Sequence, residues 1–139
     1  MIRRFTTLSL SALILLFSGA ASASVVLHYA FAELVDEADE IVHARVISQH
    51  SQWQDQSIVT AVELEVIACL KGERQVGERF VILQHGGVVG DLAMAVPGAP
   101  SFRVGEETVV FLENNPIVQV PLVVGLSQGK FCLLYTSPS

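Results

Sequence analysis

Gln84-His85-Gly86-Gly87-Val88-Val89-Gly90 opens the stretch whose reading decides the fold. After a gap come Val96-Pro97-Gly98-Ala99-Pro100-Ser101-Phe102-Arg103-Val104-Gly105-Glu106-Glu107 and the apolar run Thr108-Val109-Val110-Phe111-Leu112. Five of the ten glycines and two of the five prolines lie here, between two β-like runs. The Gly86-Gly87 pair lacks the Lys-Ser/Thr of a phosphate loop, and no helix follows closely to aim amides at an anion. Glycines of this kind supply positive φ and close backbone approach. Pro97, Gly98 and Pro100 make a stiff connector, and Phe102 reads as the plug that folds it back onto the core. The stretch therefore predicts a small β-domain with punctuated loops.

Outward from it, the runs alternate with period two. Residues 58–70 are the clearest strand, with Ile58, Thr60, Val62, Leu64, Val66, Ala68 and Leu70 on one face. In residues 41–48, Val42, Ala44 and Val46 oppose His43 and Arg45. Residues 79–84 and 108–113 are two more strands, and 117–124 is a fifth run, interrupted by Pro121, which marks an edge or a bulge. Residues 125–131 turn into a further strand. Residues 49–57 read as a polar hairpin connection carrying Trp53, the single tryptophan. A helix is expected only over 29–40, where Phe31, Leu34, Val35 and Ala38 recur at helical spacing. Its acidic end opposes the helix dipole, which predicts fraying and direct handover to a strand.

Both chain ends read as lying outside this domain. Met1-Ile2-Arg3-Arg4, an apolar run of about ten residues and Ala21-Ser22-Ala23 have the form of a signal peptide with cleavage after Ala23. The run is shorter than the ~20 residues a membrane span needs. The expectation is an exported protein, periplasmic or extracellular, with no membrane span after cleavage. Residues 132–139, Cys-Leu-Leu-Tyr-Thr-Ser-Pro-Ser, back-translate to a sequence that resembles a transposase adaptor from library preparation. The domain is accordingly set at 24–131 and read as truncated.

Without Arg3 and Arg4 the chain holds six Lys/Arg against fourteen Asp/Glu, a net charge of −8. Such a surface repels phosphate backbones, so nucleic acid is excluded as a partner class. Cys69 is then a lone thiol with no disulfide framework around it. Glu63 and Glu65 stand side by side on one strand face, where they read as solvated rather than as an acid/base pair. His28, His43, His50 and His85 are scattered over different elements, without metal-ligand spacing. No nucleophile has a recognisable base. The residues imply no cofactor, no metal and no catalytic centre. The contact loops expected on the scaffold carry Trp53, Gly86, Gly87, Pro97 and Phe102.

Five β-runs after one helix match a small OB-type Greek-key barrel, with a β-sandwich as the alternative. The wording of residues 34–46 and 62–72, Leu-Val-Asp-Glu-Ala-Asp-Glu-Ile-Val-His-Ala-Arg-Val and Val-Glu-Leu-Glu-Val-Ile-Ala-Cys-Leu-Lys-Gly, resembles the barrel of the netrin-like and tissue-inhibitor-of-metalloproteinases families. The later Gly-Gly, Pro-Gly-Ala-Pro-Ser-Phe, Gly-Glu-Glu and Val-Val-Phe-Leu segments resemble a group of exported bacterial proteins, some of which precede a matrixin-like zinc protease domain. The inhibitors' N-terminal zinc-chelating Cys has no counterpart at Ser24. The resemblance implies a binding or accessory module whose partner is a protein or small ligand. Its alternative is the accessory domain of a secreted zinc protease with the catalytic part missing.

Overall fold

The computed structural model describes residues 27–133; the expected signal peptide and residues 134–139 lie outside them. The chain is mostly β and antiparallel. Its main sheet runs in the order β3-β2-β1-β6-β7, with β8 also on β6; a separate hairpin pairs β4 with β5. β1 is Glu40–Gln54, β2 Ser57–Lys71, β3 Arg79–His85, β4 Gly87–Val89, β5 Leu92–Met94, β6 Glu107–Asn114, β7 Pro121–Val123 and β8 Lys130–Cys132. The sheet curls but does not close.

Alternation decides which face is buried. Val42, Ala44 and Val46 of β1 meet Val62, Leu64 and Val66 of β2, Phe80 and Ile82 of β3, and Val110 and Leu112 of β6 in one core. Each fully buried Val or Leu contributes about 1.5–3 kcal/mol. Phe102 is buried in this core, as a plug would be, with the Lys130 ammonium 4.5 Å above its ring. Register shifts between Ile41 and Val42, His43 and Ala44, and Val46 and Ser48 bend β1 so that one strand can serve a curved sheet.

The opposite face of β1 and β6 carries a second cluster under the helix α1, Phe31–Glu37. There Leu34 and Ala38 pack on Ile41, Phe111 and Val124. The helix is shorter than the 29–40 expected, because Ala38 is already extended (ψ 128°). As its acidic end predicts, it hands over to β1 almost at once. No basic residue stands in its last turn. The cation comes from elsewhere: Lys71 Nζ donates to the Val35 and Ala38 carbonyls at 2.9 and 2.5 Å. At its start the Glu33 carboxylate accepts from the Ala30 amide at 2.8 Å.

Three sequence expectations need correction. Residues 49–57 are not a long connection: Gln49 through Gln54 pair with Val62 through Ser57, leaving Asp55 and Gln56 as the turn. Ladder bonds use backbone groups, so polar side chains do not end a strand where the hairpin projects past its core. Residues 91–95, whose sequence suggests a short turn or irregular chain, instead carry β5, which pairs with β4 around Gly90. Within 117–124 only Pro121–Val123 is strand. Asn115 Oδ1 accepts from the Ile117 and Val118 amides, and the Gln119 amide bonds the Asn115 carbonyl. This local turn competes with extension.

Candidate functional site

A concavity of about 280 Å³ forms where three elements meet. Gln54, Asp55, Ser57 and Val59 come from the β1–β2 hairpin tip, Leu83 and His85 from β3, and Val118 and Leu122 from the β6–β7 segment. A second hollow of about 340 Å³ shares Leu83, His85 and Leu122 and extends past Gln84 and Val123 to Pro100 and Leu126. Together they follow the seam between β3 and β7. These strands approach within 8 Å between Cα atoms but share no ladder. β7 is three residues long and begins with Pro121, which has no amide hydrogen to give. The unpaired seam is what leaves room for the hollows.

Apolar walls with a few polar groups are what a ligand pocket needs. Val59, Leu83 and Leu122 supply the first. Gln84, whose Oε1 is buried without a hydrogen-bond partner among the described residues, lines the second hollow. Asp55 and Glu113 bring negative charge to the two hollows.

The expected contact residues are placed as follows. Trp53 is the penultimate residue of β1 and is 47% exposed. It pairs with Ile58, so strand alternation sets it on the face of Ser51 rather than the face of Gln54 and Ser57. Gly86 is buried and Gly87 half-buried. The Gly86 amide donates to the Ile58 carbonyl at 2.8 Å, and Thr60 Oγ1 donates to the Gly86 carbonyl at 2.7 Å. The hydroxyls of Thr60 and Ser51 stand 2.8 Å apart, so with Thr60's proton committed, Ser51 is the donor. A Cβ on Gly87 (φ 141°) would fall on both hydroxyls. The glycine pair therefore lets β4 seat on the hairpin. Pro97 is exposed, and Gly98 (φ 80°) with the Ala99 amide bonded to the Val96 carbonyl makes a type II turn. Buried Gly86 and Phe102 present no surface to a partner; Trp53 and Pro97 do. Sequence reasoning passed over Leu83, His85, Val118 and Leu122, and the signal that pointed to them was Pro121, which keeps the seam unpaired.

No protein-family model, curated protein or solved structure matches the chain.

Other ionisable groups are tied into the scaffold. Glu63 lies 3.9 Å and Glu65 3.2 Å from Arg79, both carboxylates being partly exposed. Glu107 accepts from Arg45 at 2.8 Å and lies 3.1 Å from His43 Nε2. Arg74 joins Glu40 at 2.5 Å and Glu78 at 3.1 Å, with its guanidinium 3.9 Å from the Phe80 ring centre. Burial raises the Glu106 carboxyl, but the hydrogen bond from Lys130, with help from the Arg103 main chain and Cys132, outweighs it and holds the group below its ordinary value. Among the described residues no three His, Cys, Asp or Glu stand together as metal ligands, and no helix is long and apolar enough to cross a membrane. Cys69 and Cys132 are both free. β1 and β6 lie between their strands, three spacings of ~4.8 Å, beyond the ~7 Å Cα limit for a disulfide.

Proposed function

We propose that this chain is an exported, non-catalytic OB-type module that binds a protein or small ligand at the β3–β7 seam. The observation that carries the reading is the meeting of the β1–β2 tip, β3 and the β6–β7 segment at one apolar concavity. OB folds are partly open Greek-key barrels that bind ligands on the strand 2–3 face and at the loops joining strands 1–2 and 4–5. Support for this reading comes from the strand order β3-β2-β1-β6-β7, in which β3 and β7 are the two ends of the path, with β8 as a sixth strand on β6. The acidic composition argues for ligands other than nucleic acid. Export rests on the N-terminal charge, apolar run and Ala21-Ser22-Ala23.

The test is a panel of oligosaccharides, apolar peptides and small aromatic or aliphatic compounds, followed by amide chemical-shift mapping on the isotopically labelled protein. Hits should shift Val59, Leu83, His85, Val118 and Leu122, and Leu122→Asp should weaken them at least tenfold. Hits that map away from the seam, or that bind Leu122→Asp as well as the parent, would sink the proposal.

A further inference from the structure

On the far side of the sheet from the main core, α1 and β8 border a groove of about 300 Å³ lined, among the described residues, by Phe31, Val35, Ile41, Leu70, Val109, Phe111 and Phe131. Its aromatic wall is built: Phe31, Phe111 and Phe131 pack edge-to-face with centroids 5.8, 6.1 and 5.5 Å apart. Phe31 and Leu70 are each 64% exposed, yet both belong to this continuous apolar surface. A contiguous patch of this kind marks an interaction site, unlike a lone exposed Leu. It is independent of the β3–β7 seam, with which it shares no residue.

We infer that this groove docks an amphipathic helix of a partner protein, one with an apolar stripe flanked by Lys or Arg. The floor decides for a helix. Ile41, Val109 and Phe111 are side chains on a sheet face whose backbone groups are engaged in the β1–β6, β1–β2 and β6–β8 ladders. Over that floor an extended segment finds no unpaired backbone, and β8, paired only with β6 among the described strands, offers just three residues of edge at the margin; an apolar stripe on a helix, by contrast, is what a sheet face buries. Charge decides the flank. Asp36 and Glu37 are exposed at the negative end of the α1 dipole, beside Val35. Of the neighbouring cations, Arg45 and Lys130 are paired with Glu107 and Glu106, and Lys71, seated on the α1 carbonyls, offsets only one of the charges of Asp36 and Glu37. A second copy of this acidic chain would set one negative α1 near another, and an anionic membrane would be repelled; a basic-flanked helix meets neither cost.

The experiment titrates the whole protein into a fluorescein-labelled helical peptide of Leu and Lys with apolar residues at i, i+3, i+4 and i+7, read by anisotropy. A Leu/Glu peptide of the same pattern and a scrambled Leu/Lys peptide serve as comparators. The patterned Leu/Lys peptide should bind at least tenfold tighter than either. Leu70→Asp and Phe31→Ser should each weaken it at least tenfold, while Val76→Asp, exposed in the β2–β3 connection, should leave it unchanged. Leu70→Asp changes an exposed side chain, and circular dichroism checks that the fold is kept. Equal binding to Leu70→Asp, or no preference over the scrambled or Leu/Glu peptide, overturns the inference. So does concentration-dependent dimerisation in sedimentation that Leu70→Asp abolishes, because the occupant is then a second copy.

Discussion

Gly87→Ala should be among the more damaging single-methyl additions in this chain, and its cost divides into two parts. The first is backbone strain: φ of 141° is a conformation for glycine, and holding alanine there costs about 1–3 kcal/mol. The second is steric. The new Cβ falls on Ser51 Oγ and Thr60 Oγ1, and displacing them breaks the Ser51–Thr60 bond and the Thr60 bond to the Gly86 carbonyl. Two such bonds are worth about 1 kcal/mol each. The total, about 3–5 kcal/mol, is a large fraction of the ~5–15 kcal/mol by which domains are stable. With a urea slope of ~1.5 kcal/mol per molar, the midpoint should fall by about 2–3 M. Gly77→Ala isolates the first part, since Gly77 has φ 86° and nothing within 4 Å of the added Cβ. The two urea curves should therefore differ by about 2 kcal/mol. Adding Thr60→Ala to Gly87→Ala should cost less than the two single changes together, because the clash with that hydroxyl disappears. If Gly87→Ala is no more destabilising than Gly77→Ala, or if the double mutant is fully additive, the close approach of β4 to the hairpin is not what this glycine provides.

Lys71→Met keeps the side-chain stem but removes the ammonium from the Val35 and Ala38 carbonyls, so α1 amides should exchange faster with deuterium, at a cost of about 1 kcal/mol. Phe102→Ala should cost about 3–5 kcal/mol in chemical denaturation, because the ring fills the main core. Glu106 has a lowered folded-state pKa, so its contribution is present above its ordinary value of 4.5 and is lost as pH falls through the lowered folded-state value. Urea midpoints should therefore drop in that acid window, and Glu106→Gln should flatten that part of the profile. Trp53→Ala should leave the melting temperature within about 2 °C of the parent, as exposed side chains away from special features contribute little.

Alternation alone placed the main core. Val42, Ala44, Val46, Val62, Leu64 and Val66 needed no tertiary information, because a strand with one apolar face has one way to bury it. The positive-φ role of Gly86 and Gly87 and the inward Phe102 were legible for similar local reasons. The helix was legible in kind but not in length, because its stop depends on where Ala38 is drawn into the sheet and on a lysine 33 residues away. The hairpin tip was not legible. Gln49-His50-Ser51-Gln52-Trp53-Gln54 is polar because it projects beyond the core, and the pairing that makes it strand is carried by backbone atoms that composition does not report.

The candidate site divides along the same line. Local chemistry marked Pro121 as an edge or a bulge, and the sheet order makes it an edge. That this edge faces β3, and that the resulting seam opens beside Leu83 and His85, was decided by how far the sheet curls. That curvature is a sum of register shifts and long-range pairings, and no single stretch of sequence encodes it. The outer groove follows the same rule: Phe31, Leu70 and Phe131 are each unremarkable in the sequence, 39 and 61 residues apart, and become one surface only when β1, β6 and β8 lie side by side.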